Sequence, residues 1–252
     1  MIKRGGSRLR LIDFVPGSNR IRLLYLARGS SRIGFSYLLS VLLLGHATPV
    51  AAVTRDLLAL PAPGSYSLQR IQRAPDGLVL DSDGSLRRLA EFTTGKVTVF
   101  SFIYTYCSDP KGCPLAYATL HGLKKTLNAD SALRDRVRFV SMSFDPQYDT
   151  PAAMRSYGGA DARERSGLRW HFLTTRSGAE LAPMLDGFGQ DLSVLLAASQ
   201  GRRVPTLSHM LKVYLLDRSG HVREIYSTSF LQQPILLSDI KTLLMEAGQA
   251  RP

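Results

Sequence analysis

Val97-Thr-Val-Phe-Ser-Phe-Ile-Tyr104 is followed by Thr-Tyr-Cys107-Ser-Asp-Pro-Lys-Gly-Cys113, and then by Pro114-Leu-Ala-Tyr-Ala-Thr-Leu-His-Gly-Leu-Lys-Lys-Thr-Leu127. The first run is short, apolar and rich in β-branched and aromatic residues, the pattern of a buried strand. In the last run Leu115, Thr119, Leu123 and Leu127 recur at helical spacing, and Pro114 suits a first helical position. A strand that crosses directly into a helix points to an α/β domain. The only two cysteines of the 252-residue chain flank that crossing.

Six extended chain steps would hold the two cysteines about 20 Å apart, so a bend must bring them together. Asp109-Pro-Lys-Gly112 supplies one: Asp first, Pro second and Gly fourth is the type I turn signature. Backbone N–H groups at the helix start favour a thiolate over a thiol, which makes a nearby cysteine a better nucleophile and metal ligand. The plainer alternative is a pair of small buried side chains.

Working outward, Gly77–Leu80 and Ser85–Leu89 read as a hairpin around Asp81-Ser-Asp-Gly84. Val137–Phe144 reads as a second core strand, and Thr150-Pro151 as the cap and first residue of a short helix through Tyr157. Trp170–Thr174 is a strand, Ala179–Phe188 a helix, and Gly189–Ser208 a long irregular stretch. Lys212–Asp217 and Val222–Tyr226 form a second hairpin, and Leu236–Glu246 a terminal helix. Strands alternating with helices, plus two hairpins, predict a three-layer α/β domain with a mixed central sheet.

The N-terminal part differs in character. Ile33–Gly45 is apolar, preceded by Arg28 and Arg32 and followed by the small residues Val50-Ala51-Ala52, as in a secretory leader. At 13 residues it falls short of the roughly 20 of a spanning helix, so it reads either as a cleaved leader or as an uncleaved anchor. Residues 1–52 are thus a basic extension with an export segment, 53–72 a tether containing Pro61-Ala-Pro-Gly64, and 73–248 the domain. The first 52 residues hold eight basic side chains and one acid, Asp13, so the formal charge of +12 falls to about +5 beyond them. The remaining basic residues are scattered rather than striped with aromatics, which argues against a nucleic-acid partner and leaves an acidic partner or anionic membrane face.

Of five histidines, His46 lies in the leader, His121 falls mid-helix, His171 falls within a strand, and His221 follows a turn. His209 ends the irregular stretch just before the strand at Lys212, where binding residues gather. Two thiolates and an imidazole suit copper, because soft thiolates favour Cu(I) and imidazole also accepts Cu(II). A structural zinc site would want a fourth protein ligand.

Several segments together resemble the Sco/SenC copper-delivery proteins of respiratory oxidase assembly. They are Gly95-Lys96, Phe102-Ile-Tyr-Thr-Tyr-Cys107, Cys113-Pro114-Leu115, Val140-Ser-Met-Ser-Phe-Asp145-Pro-Gln-Tyr-Asp149-Thr-Pro151 and His209-Met-Leu-Lys-Val-Tyr-Leu-Leu-Asp217-Arg-Ser-Gly220, within residues 76–245. The resemblance implies a thioredoxin-like fold with hairpin additions and a copper ion held by Cys107, Cys113 and His209. It implies the dinuclear copper centre of cytochrome c oxidase subunit II as acceptor, and a chain exported to the periplasm or anchored in the inner membrane facing it. One departure stands out: the family spaces its cysteines by three residues, and this chain by five. Asp145 and Asp149 are expected to cap and position the following helix rather than to touch metal.

A second function remains open on the same residues. Cys107 and Cys113 also form a redox-active pair, so an exported thiol–disulfide oxidoreductase without bound metal, Cys107 attacking and Cys113 resolving, is the alternative. Its usual spacing is Cys-x-x-Cys, and it leaves His209 without a task. An exported module with one structural disulfide is a third reading.

Overall fold

The computed structural model describes residues 60–199, 202–208 and 210–249. Along the chain run β1 (Gln72–Arg73), β2 (Leu78–Asp81), β3 (Leu86–Arg88), α1 (Ala90–Thr93), β4 (Val97–Ile103) and α2 (Cys113–Asn128). Next come α3 (Ser131–Arg134), β5 (Val137–Ser143), α4 (Pro151–Arg163), β6 (Arg169–Thr174) and α5 (Gly178–Phe188). The chain then forms β7 (Ser193–Ser199), β8 (Arg202–Ser208), β9 (Val213–Leu216), β10 (His221–Tyr226) and α6 (Gln233–Gln249).

The main sheet has the order β1-β10-β9-β4-β5-β6-β2-β3. Its centre, β4-β5-β6, is parallel, and the strands on either side are antiparallel. All seven residues of β4 are buried, which is why it reads as a continuous apolar run: a central strand covered on both faces has no reason to alternate. On one face α2 and α4 cover β5 and β6, with Tyr117 stacked on Trp170 at 5.1 Å and Tyr157 edge-on to Phe172 at 6.2 Å. On the other, Phe188 of α5 stacks on Phe100 at 4.6 Å and meets Tyr214 at 5.0 Å. The expected three-layer domain with a mixed central sheet and two hairpins, β2-β3 and β9-β10, is therefore present.

Three local expectations need correction. Gly189–Ser208 is not irregular: β7 and β8 form an antiparallel ribbon in the register Ser193↔Ser208 to Ser199↔Arg202. Pro205 disguised it, because proline is excluded from central strands; a two-stranded ribbon is all edge and tolerates it. The helix opened by Thr150 does not stop at Tyr157 but resumes to Arg163 across Gly159, whose φ is +53°. Gly158 is required there by packing, since a Cβ would lie 2.6 Å from the Phe172 ring.

The third concerns the tether. Its described part is strapped to the domain: Gly64 N donates to Thr242 Oγ1 (3.0 Å), Tyr66 OH to Asp239 Oδ1 (2.6 Å), and Ile71 N to Val222 O (2.9 Å). Tyr226 OH donates to the other oxygen of Asp239 (2.6 Å), so one buried carboxylate clamps strap, strand and helix. The expected export segment and residues 53–59 lie outside the described residues. Among the described residues no helix is long and apolar enough to cross a membrane.

Candidate metal centre

β4 delivers the chain to the cysteine loop at the carboxyl end of the parallel strands, where ligand sites of open α/β sheets gather. Cys107 N donates to Tyr104 O (3.2 Å), and Gly112 N to Asp109 O (2.9 Å), closing the expected turn. The Asp109 side chain also accepts from Lys111 N (3.0 Å), and α2 begins at Cys113 with proline in its first turn. No disulfide joins the cysteines; Cys107 is half-buried and Cys113 is 1% exposed. Their sulfurs lie within hydrogen-bonding reach of each other, so the five-residue spacing still closes.

The two sulfurs differ chemically. Burial pushes the Cys113 thiol well above its ordinary range; backbone hydrogen bonds from Tyr104 and from Cys113 itself oppose this, and the neighbouring Cys107 adds to it. The activation expected of the helix start is thus outweighed at Cys113, because its sulfur faces protein rather than water. Tyr104, 7% exposed, hydrogen-bonds through its hydroxyl to Cys107, and burial followed by that bond raises the phenol.

Beneath the loop lies Asp149, expected from its place before Thr-Pro to serve the helix start. Asp149 is fully buried. It accepts from Thr105 N (3.1 and 3.3 Å), Thr105 Oγ1 (2.5 Å) and Ser143 Oγ (2.6 Å). It does not cap α4; Thr150 does, accepting from Ala153 N at 3.2 Å. Asp149 instead ties the residue two before Cys107 to the end of β5. Asp145 likewise accepts from the Tyr106 hydroxyl, and the Tyr106 ring packs between Tyr104 (4.8 Å) and Tyr148 (4.7 Å). Both residues adjoining Cys107's approach are therefore held by the Asp-Pro-x-x-Asp segment. Burial raises Asp149 above the usual carboxylate range despite the opposing bonds from Ser143 and Thr105.

His209 lies outside the described residues. The chain around it is informative: Val213 pairs with Ser101 in antiparallel register, so the chain from Lys212 back to Met210 runs toward the end of β4 that leads into the cysteine loop. Met210 O is held by Gln190 Nε2 (3.2 Å), whose side-chain oxygen accepts from Tyr214 (3.3 Å). The remaining described histidines have other partners: His121 meets Asp161 (3.0 Å), His171 meets Asp81 (3.2 Å) and His221 meets Ser219 (2.8 Å). Among the described residues no three His, Cys, Asp or Glu side chains gather as a metal site.

The SCO1/SenC family model matches residues 78–245, well over half of the chain. Among solved structures, Arabidopsis thaliana ScoI with copper bound is 17% identical, with a TM-score of 0.57 over 69% of this chain and 98% of that one. Bradyrhizobium japonicum ScoI with copper bound is 21% identical, with a TM-score of 0.53 over 66% and 97%. A SCO1/SenC family lipoprotein from Bacillus anthracis is 26% identical, with a TM-score of 0.53 over 74% and 99%. No curated protein matches the sequence. With the family model spanning the cysteine loop, the Asp-Pro-x-x-Asp segment and every strand of the sheet but β1, the chain belongs to the SCO1/SenC family and has its thioredoxin-like fold.

Proposed function

We propose that this chain is a copper metallochaperone that assists assembly of the dinuclear copper centre of a respiratory oxidase, with cytochrome c oxidase subunit II as the acceptor. Cys107, Cys113 and His209 are the ligands. The observation that carries this reading is the pair of sulfurs, one half-buried and one buried, brought within reach across the turn. Two soft donors at that separation suit a soft cation. The copper-bound ScoI relatives support the metal, and the register of β9 supports His209 by leading its chain neighbours toward the same end of the sheet. The lipoprotein relative supports export, with residues 1–52 as the export or anchoring segment and 73–248 as the working domain.

The residues divide the work. The half-buried Cys107 is the sulfur an acceptor can approach, so transfer begins by ligand exchange there. Cys113 holds the cargo from inside. Because thiols must lose protons to bind metal, and Cys113 is held protonated by burial, loading releases its proton; uptake therefore strengthens as pH rises. Copper titration of the reduced full chain tests the reading, with one copper expected per chain and uptake lost in Cys107→Ser, Cys113→Ser and His209→Ala. Unchanged uptake in His209→Ala removes that ligand, and no uptake by wild type removes the reading.

The same asymmetry favours a second reading, the thiol–disulfide oxidoreductase. An accessible Cys107 beside a protected Cys113 is the arrangement of an attacking and a resolving thiol. Rapid, copper-independent reduction of a disulfide substrate, abolished by Cys107→Ser, would move the assignment to it.

A further inference from the structure

Four of the domain's scattered arginines meet at the pole opposite the cysteines. β4 and β5 start there, and the seven residues of β4 at about 3.3 Å each set it roughly 20 Å from the cysteine loop. Arg136 O accepts from Val97 N (3.0 Å) and Arg218 O from Gly95 N (2.8 Å), which fixes both arginines at this end. Between them and the end of α6 lie two adjoining clefts of about 300 and 290 Å³. Arg70, Arg218, Arg223 and Glu246 line the first, Arg136, Arg218 and Gly248 the second.

The trough's two carboxylates are already engaged, since Arg223 donates to Asp217 (3.1 Å) and to Glu246 (2.8 Å). Arg136 donates to Leu244 O (3.0 Å) and Arg218 to Gly95 O (3.2 Å); a carbonyl fixes a guanidinium without neutralising it. Arg70 forms no hydrogen bond or ion pair among the described residues. Three arginines thus share one trough with no anion of their own among the described residues. Two half-exposed apolar side chains belong to the same segments: Ile71 (49%), next to Arg70 in the chain, and Met245 (47%), which lines a neighbouring cleft together with Arg223 and Glu246.

We propose that this pole docks on an anionic membrane surface, with Arg70, Arg136 and Arg218 taking lipid phosphates and Ile71 and Met245 entering the acyl boundary. Guanidinium forks match phosphate oxygens, and an apolar edge beside a cationic face is the pattern of interfacial binding. The open trough and the apolar side chains of its segments favour a lipid over free phosphate. The absence of an aromatic anchor among the lining residues disfavours an acidic protein. Residues 46–59 reach about 50 Å when extended, enough for the domain to rest on a membrane that holds the Ile33–Gly45 stretch. Docked this way, the cysteine loop faces away from the lipid, and the proposal stands apart from the copper reading.

The test is amide hydrogen exchange of the full chain reconstituted into phosphatidylcholine vesicles with and without one third phosphatidylglycerol. Peptides covering 68–73 and 244–249 should exchange more slowly in the anionic vesicles only, while the cysteine loop stays unchanged. Arg70→Gln, which breaks no bond among the described residues, should lose about fivefold of the protection, and the Arg70→Gln/Arg136→Gln/Arg218→Gln variant all of it. Arg155→Gln/Arg163→Gln/Arg165→Gln on the α4 side should keep it. Equal exchange in both lipids, protection that survives the triple variant, or loss in the α4-side variant would overturn the proposal. Equal protection by millimolar inorganic phosphate in phosphatidylcholine vesicles would also overturn it, in favour of a free-anion site.

Discussion

Two buried aspartates bracket α4 and live opposite electrostatic lives. Asp149, just before the helix, accepts from one backbone N–H and two hydroxyls, and from no cation among the described residues. Asp161, in the last turn, accepts from Lys124 Nζ (2.8 Å), His121 Nδ1 (3.0 Å) and Tyr117 OH (3.1 Å). Burial would raise both, and at Asp149 it wins; at Asp161 the bonds from Lys124, His121 and Tyr117 outweigh it and hold the carboxyl below its usual range. A cation makes a stable clasp between α2 and α4. Neutral donors make a directional one, in which each bond fixes a particular atom of the cysteine loop, at a cost in desolvation.

The largest way to break the contrast is to remove the cation. Lys124→Met leaves Asp161 buried without its main partner and should cost about 3–5 kcal/mol in urea unfolding followed by the fluorescence of Trp170, the only tryptophan. Copper stoichiometry should survive, because the lost clasp lies away from the cysteine loop. Asp149→Ala should cost less, about 3 kcal/mol for the stranded donors, yet weaken copper uptake about tenfold, since Thr105 is two residues from Cys107. Equal copper affinities in these two variants would erase the distinction.

Acid should sharpen it further. A raised carboxyl contributes most when protonated, so wild type should gain on Asp149→Asn as pH falls from neutral to about 4. A lowered carboxyl contributes when ionised and loses that contribution only as pH falls below about 4 toward its depressed value, so wild type's lead over Asp161→Asn should hold from neutral to about 4 and shrink below it. In paired unfolding series carried below pH 4, a gain above about 4 for Asp149 and a loss below it for Asp161 are the expected result, and parallel profiles would refute the assignment. The smallest effect belongs to Thr150, whose replacement by alanine should cost about 1 kcal/mol of helix capping without changing copper affinity.

Much of this was legible in the sequence because the signals were local. β4 showed itself as an apolar run, the turn as Asp-Pro-Lys-Gly, the start of α4 as Thr-Pro, and the two hairpins as paired short runs around glycine. What stayed hidden has physical causes. The β7–β8 ribbon carries a proline, and the Gly158–Gly159 pair looks like a stop until Phe172 is seen to demand the first glycine. The strap from Pro61 onward has no periodicity, because its partners are Ser238, Asp239 and Thr242, far along the chain.

The role of Asp149 was the largest miss. Next to Thr-Pro it reads as helix-start chemistry, and only the parallel pairing of β4 with β5, Ser143 opposite Ile103, carries it under Thr105. By itself the sequence determined the order of elements, the turn between the thiols and the family motifs, since each rests on steric and hydrogen-bonding preferences within a few residues. Only the tertiary structure decided which sulfur is sheltered, which carboxylate holds the loop and where the unpaired arginines collect. Burial and charge pairing arise between segments tens of residues apart, and no local pattern encodes them.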